Sequence, residues 1–224
     1  MRVEESYSVY PVRAIIVMGV AGSGKTTVGR QVAQRLGNAP FIDADALHPA
    51  ESVAKMAAGI GLGDSERWPW LQRVREAIEQ AALGLLQQEG DQSPGLSATR
   101  RIVGQRSAVP SDGGCLYVVC ACSSLKRSYR ELLSRSDPDT PVDKQTHDTV
   151  FLYIDVSKQE LARRLELREG HFVKLSLLDS QLETLEPPDS TREAAIVVHG
   201  DDPEDKVVEE AYSKVVRYVT KNSL

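Results

Sequence analysis

The chain has 224 residues, 41% hydrophobic and 26% charged, with a formal net charge of −5. This balance suits a single soluble α/β domain over 1–224 and argues against a basic nucleic-acid-binding face. No apolar run approaches the roughly 18 residues of a membrane span, and the opening MRVEESYSVYP lacks the apolar stretch of a signal peptide.

In chain order, Arg13–Met18 is a short apolar run rich in β-branched residues and reads as a buried strand. The next residues, Gly19–Thr26, read GVAGSGKT and fit G-x-x-x-x-G-K-[ST], the phosphate-binding loop. Gly19, Gly22 and Gly24 free the backbone to turn its N–H groups inward, and Ser23 and Thr27 complete the cradle. The helix that follows, with Val28, Val32, Ala33 and Leu36 at helical spacing and Gly37 as its stop, adds the partial positive charge of its N-terminus. In this setting Lys25 reaches the β- and γ-phosphates and Thr26 offers its hydroxyl to Mg²⁺. The motif implies that the chain binds a nucleoside triphosphate.

A second strand at 40–43 ends in Asp43-Ala44-Asp45, at the carboxyl edge where open α/β sheets place ligands. Carboxylates at i and i+2 of an extended chain point the same way, one toward the metal and one toward a substrate hydroxyl. A capping turn before His48-Pro49 is the competing expectation. Arg67 then stands beside Trp68 and Trp70, with a guanidinium that matches a carboxylate, and Pro69 suits the first turn of a helix. Its buried stripe runs through Trp70, Leu71, Val74, Ala77, Ile78, Ala81, Ala82 and Leu85. Residues 88–114, rich in Gly, Ser and Pro, read as a surface insertion, and 134–148 as a second polar loop.

Strands are expected at 116–121, 149–155 and 195–199. After the first of these, Lys126 and Arg130 stand at i and i+4 and would share a helix face toward the acceptor. Ser157 and Glu160 form a capping box ahead of Leu161 and Leu165, with Arg164 and Arg168 on the opposite face. Residues 170–190 lack a clean period, which suits a mobile lid over 168–190 that excludes water over the phosphates. Asp202 and Pro203 open a last helix whose inward face carries Val207, Val208, Ala211, Tyr212, Val215, Val216 and Val219. The three cysteines are an odd set without metal-site spacing and read as buried, reduced thiols of a cytoplasmic protein.

Taken together, GVAGSGKTT, DADALHP at 43–49, Lys55-Met56, Leu62 with Asp64, Arg67, Pro69, Trp70 and Leu71, CSSLKRSYRELL at 122–133, Arg168–Phe172 and LLDSQLETLEPP at 177–188 resemble the gluconokinases of the P-loop nucleoside-kinase superfamily. The resemblance spans nearly the whole chain apart from its N-terminal extension and two insertions. Gly61, Ser65-Glu66 and Ser52 depart from the family pattern. It implies a five-stranded parallel sheet of order 2-3-1-4-5 and ATP-dependent phosphorylation of D-gluconate to 6-phosphogluconate, which feeds the pentose phosphate pathway. A related kinase acting on shikimate or another polyhydroxy acid is the alternative. ATP and Mg²⁺ are the implied cofactors, and a homodimer is left open. By this resemblance Lys25, Asp45 and Arg168 carry the chemistry, with Arg164 and Arg168 as lid arginines on the nucleotide and Asp43 joining Thr26 at the metal. Asp45, His48, Arg67, Lys126, Arg130, His171 and Gln181 are the residues expected to hold the acceptor.

Overall fold

The computed structural model describes residues 12–90, 115–134, 147–167 and 175–222. Five strands form at the expected runs: β1 (Val12–Met18), β2 (Phe41–Asp43), β3 (Leu116–Ala121), β4 (Asp148–Asp155) and β5 (Ala195–His199). All neighbours pair in parallel, in the order β2-β3-β1-β4-β5. β1 sits at the centre and is buried along its whole length, as a parallel strand covered on both faces must be.

The pleat divides β1 between two cores. Ile15 and Val17 join Val28, Val32, Leu161, Val208 and Val215 on one face, under α1 (Lys25–Arg35), α5 (Lys158–Leu167) and α7 (Glu204–Lys221). Ala14, Ile16 and Met18 join Trp70, Leu71, Val74, Ile78 and Leu133 on the other, under α3 (Asp64–Gly90) and α4 (Arg127–Ser134). Each fully buried aliphatic side chain contributes about 1.5–3 kcal/mol, so the two cores fix the helices to the sheet. Two short helices, α2 (Ala50–Ala57) and α6 (Leu175–Thr184), stand at the carboxyl end of the strands. Among the described residues no helix is long and apolar enough to cross a membrane.

Several local expectations change. The third helix starts at Asp64 rather than near Pro69, which lies inside it. Its start is set by Glu66, whose carboxylate accepts from the Gly63 amide at 2.9 Å, half of a capping box. At α5 the Ser157 hydroxyl accepts from the Glu160 amide at 3.3 Å, but the Glu160 carboxylate turns to Arg163 and Arg164 instead of closing the box. Helix α3 runs on to Gly90, so helical backbone enters the expected 88–114 insertion, and most of both insertions lies outside the described residues. All three cysteines are buried and none forms a disulfide, and burial pushes the Cys122 thiol up to about 11.

The largest correction concerns Lys126 and Arg130, which do not share a face. Lys126 precedes the first residue of α4 and is half exposed, whereas Arg130, one turn into the helix, is 1% exposed. Arg130 grips the Glu193 carboxylate with Nε and Nη2 at 2.6 and 2.8 Å, and donates Nη1 to the carbonyls of Ser124, Leu125 and Glu186 at 3.1, 3.2 and 2.9 Å. A guanidinium suits this task because its planar fork can satisfy a carboxylate and several carbonyls at once. Its donors are spent on the chain that leads out of α6, not on an acceptor. Arg130→Ala leaves Glu193 and three carbonyls without that donor and is expected to lower stability by about 3–5 kcal/mol, read as a fall in the urea midpoint. A change below about 1 kcal/mol, the range of an ordinary surface ion pair, would contradict the clasp.

Candidate active site

The carboxyl ends of β1, β2 and β3 deliver three segments to one place. From β1 comes the glycine loop, in which Gly19, Gly22 and Gly24 take φ values of 147°, 83° and 91°. These conformations are open to glycine and strained for other residues. A Cβ on Gly19 would also lie 2.7 Å from the Ser23 hydroxyl, so the turn has no room for one. Leu165 packs beneath Gly22, where an added Cβ would meet its Cγ and Cδ2 at 3.4 Å. The loop leads into α1, with Lys25 as its first residue and Thr26 and Thr27 following. The Lys25 ammonium donates to the Val20 carbonyl at 2.9 Å, folding it across the loop.

From β2 come the two aspartates, on a turn rather than an extended chain. Asp43 caps a single 3-10 turn, Ala44–Leu47, with Oδ1 accepting from the Asp45 amide at 3.2 Å. The other oxygen of Asp43 accepts from the Thr26 hydroxyl, also at 3.2 Å. One Asp43 carboxylate thus both caps the turn and meets the Thr26 hydroxyl. A threonine hydroxyl beside a carboxylate is a hard-oxygen donor pair that suits Mg²⁺, which takes few protein ligands beside phosphate and water. Asp45 is turned away from that pair and is exposed toward a cavity.

This cavity, of about 400 Å³, lies between the glycine loop, α2, the start of α3 and α6. Its polar wall is Lys25, Asp45, His48, Arg67, Ser123 and Gln181, and its apolar wall includes Val53, Met56, Leu62, Trp70 and Leu177. Trp70 donates its indole N–H to the Ala44 carbonyl at 2.8 Å and stacks on His48 with centroids 4.1 Å apart. The indole therefore sets the histidine ring. Burial lowers the His48 pKa; Asp45 opposes the shift, and Arg73 and Arg67 add to it, so the ring is neutral near pH 7. Its buried Nδ1 has no partner among the described residues.

Arg67 has two acidic neighbours on its own helix, and both are already engaged. Glu66 pairs with Lys55 at 2.8 Å. Asp64 accepts from Lys126 at 2.8 and 2.9 Å and from the Tyr129 hydroxyl at 2.5 Å. The Lys126 bond, then the Tyr129 bond, hold the Asp64 carboxyl below the usual carboxylate range. The Arg67 guanidinium lies 5.9 Å from the Tyr129 ring centre and lines the cavity, and among the described residues it pairs with no carboxylate.

Of the expected site residues, the structure brings Lys25, Asp45, His48, Arg67 and Gln181 around one cavity, with Thr26 and Asp43 beside it. Lys126, Arg130 and Arg164 do not line it. Arg164 is tied to Glu160 at 2.7 Å and to the Gly200 carbonyl at 2.6 Å. Arg168 and His171 lie outside the described residues. Sequence reading missed Tyr129 and Glu193, whose partners stand 65 and 63 residues away. It also missed Ser123, although its place just after β3 was a usable signal.

A family model described as shikimate kinase matches residues 21–60, from the glycine loop through β2 to the end of α2. A probable gluconokinase of Xenopus tropicalis is 39% identical over 209 residues, covering 91% of this chain and 93% of that one. The gluconokinase of Gluconobacter oxydans (strain 621H) is 41% identical over 198 residues, 88% of each chain. The crystal structure of a gluconokinase from Sinorhizobium meliloti 1021 superposes with a TM-score of 0.67 at 35% identity, covering 93% of this chain and 94% of that one. With such identity sustained over nine-tenths of its length, the chain belongs to the gluconokinase family.

Proposed function

We propose that the chain transfers the γ-phosphoryl group of ATP to the 6-hydroxyl of D-gluconate, giving 6-phosphogluconate and ADP. One observation carries the reading: a single cavity is lined by the loop lysine Lys25, the carboxylate Asp45 and the guanidinium Arg67. Gluconate has a carboxylate at one end and its reacting hydroxyl at the other. A cavity with a cation for the first and a carboxylate for the second matches it end to end. The five strands form one sheet around this cavity, which supports a single catalytic domain.

In this reading the inward amides of Gly19–Thr26 and the Lys25 ammonium hold the triphosphate. Thr26 and Asp43 would hold Mg²⁺, which when bound neutralises charge between the β- and γ-phosphates. Asp45 accepts the proton of the 6-hydroxyl as its oxygen attacks the γ-phosphorus. The bond to the bridging oxygen breaks with its electron pair leaving on ADP. Arg67 pairs with the gluconate carboxylate through two parallel hydrogen bonds. Neutral His48 offers its remaining polar atoms to the acceptor hydroxyls. Leu62, Trp70 and Leu177 exclude water from the rest of the surface.

A coupled assay of ADP release with gluconate, glucose and shikimate tests the reading, and gluconate is expected to be the fastest acceptor. Efficient turnover of glucose, which leaves Arg67 without a counter-charge, would refute the pocket assignment. Asp45→Asn is expected to cut kcat about 10²-fold or more with the ATP KM little changed. Equal loss of nucleotide binding would place Asp45 at the metal instead. Arg67→Lys keeps the charge but loses the fork, and should raise the gluconate KM about tenfold while leaving that for ATP nearly constant. A similar rise in both constants would sink the assignment of Arg67 to the acceptor.

A further inference from the structure

Gln181 makes a contact that no general feature of the fold requires. Its Oε1 accepts from the Ala21 amide at 2.6 Å, joining the tip of the glycine loop to α6 across 160 residues. Because Ala21 supplies an N–H, the atom facing it is the carboxamide oxygen, and the NH₂ end is the polar part left for the cavity that Gln181 lines. Leu177, one helical turn earlier on the same face, forms part of the apolar wall.

On the other side of the cavity α6 meets the loop between α2 and α3. A Cβ built on Gly61 would lie 3.3 Å from the Ser180 hydroxyl and 3.8 Å from Leu177. The chain leaving α6, just beyond the turn that carries Gln181, is anchored as well. The Glu186 amide donates to the Leu125 carbonyl at 2.8 Å, and its carbonyl accepts from Arg130 at 2.9 Å. Helix α6 is thus fixed at its base and spans from the acceptor loop to the phosphate loop, with Gln181 as its polar contact to the latter.

We propose that Gln181 is a positioning residue that seats α6 on the phosphate loop and so directs the γ-phosphoryl group to the acceptor hydroxyl instead of to water. The inference rests on the gluconate-kinase reading of this cavity. In both reactions the bond from the γ-phosphorus to the bridging oxygen breaks and its electrons leave on ADP. Transfer forms the new bond to the gluconate 6-oxygen, hydrolysis to a water oxygen, and either nucleophile releases one proton. The two differ only in which oxygen is in line with the phosphorus. A helix docked against the loop excludes water at that point, while one released from it does not.

Gln181→Met tests this in the full-length protein, because it keeps the side-chain volume and removes the acceptor. With ATP, Mg²⁺ and saturating gluconate, the wild type is expected to release about one ADP for each 6-phosphogluconate formed. The variant should release more ADP than product, with kcat for gluconate about tenfold lower, the worth of one lost hydrogen bond to the reacting site, and an ATP KM close to that of the wild type. Gln181→Glu retains an oxygen for the Ala21 amide and should bring the ratio of ADP to product back toward one, although its charge slows transfer. Acceptor-free ATP hydrolysis is measured on the same proteins and should be raised in Gln181→Met alone. If the wild type makes no 6-phosphogluconate, the gluconate reading fails, and the acceptor-free comparison still decides the role of Gln181. An unchanged ratio and unchanged acceptor-free hydrolysis in Gln181→Met would overturn the proposal.

Discussion

Everything at the ligand end of this protein depends on a turn that ordinary side chains disfavour. A triphosphate must be met by backbone N–H groups arriving from several directions within a few ångströms. Gly19, Gly22 and Gly24 make that possible by taking left-handed or still rarer conformations, one of them with the Ser23 hydroxyl where a Cβ would have to be. Such a turn holds its shape only if the structure around it is rigid. Here the rigidity comes from below and from the side. β1 is buried along its length, Leu165 fills the space under Gly22, and the Gly19 amide reaches the Ser123 carbonyl at 3.4 Å. The strand order follows the same need. With β1 central, the loop emerges between β3 and β4, and the end of β2 is near enough for Asp43 to reach Thr26.

Charge at the acceptor end is organised by subtraction. Three ionisable groups, Asp64, Glu66 and Arg67, follow one another closely at the start of α3, and left alone they would neutralise one another. Lys126 and Tyr129 occupy the first and Lys55 the second. These pairs are exposed and screened by solvent, and they add little to stability. Their consequence is placement: the carboxylates are turned toward α4 and α2, and the guanidinium is left facing the cavity. A cation in a confined site without a fixed counter-charge favours an anionic occupant, because the empty site carries an unmatched charge. In the proposed reading, this lets a pocket with a largely apolar wall prefer a sugar acid to the neutral sugar.

The fold was legible in the sequence because its signals are local. Each strand is a short β-branched run, and the glycine loop names both the strand before it and the helix after it. The observed strand bounds fall within one residue of the expected ones. The layout of the candidate site was legible where motif position decides contact: Lys25 and Asp45 line one cavity, and Thr26 meets Asp43. It was not legible where partners are set by tertiary packing. Spacing put Lys126 and Arg130 on one helix face, but the helix begins between them, so one ends on the surface and the other in the core. Nothing near Arg130 points to Glu193, 63 residues away. The same holds for the helix start at Asp64, which a proline five residues later disguised.

The Gln181 contact lies in the last turn of α6 and the Arg130 clasp holds the segment just beyond it, and their difference in burial separates their roles. Arg130 is sealed in, with a carboxylate and three carbonyls as partners, and opening it would strand several buried polar groups at once. Gln181 is half-buried at the cavity wall and holds the loop by one neutral hydrogen bond, worth about 0.5–1.5 kcal/mol net. Leu177 and Gln181 place α6 on one wall of the cavity, where a contact that opens readily leaves room for ligands to pass. A single neutral bond is strong enough to exclude water while the phosphoryl group moves, and weak enough not to hold the product afterwards.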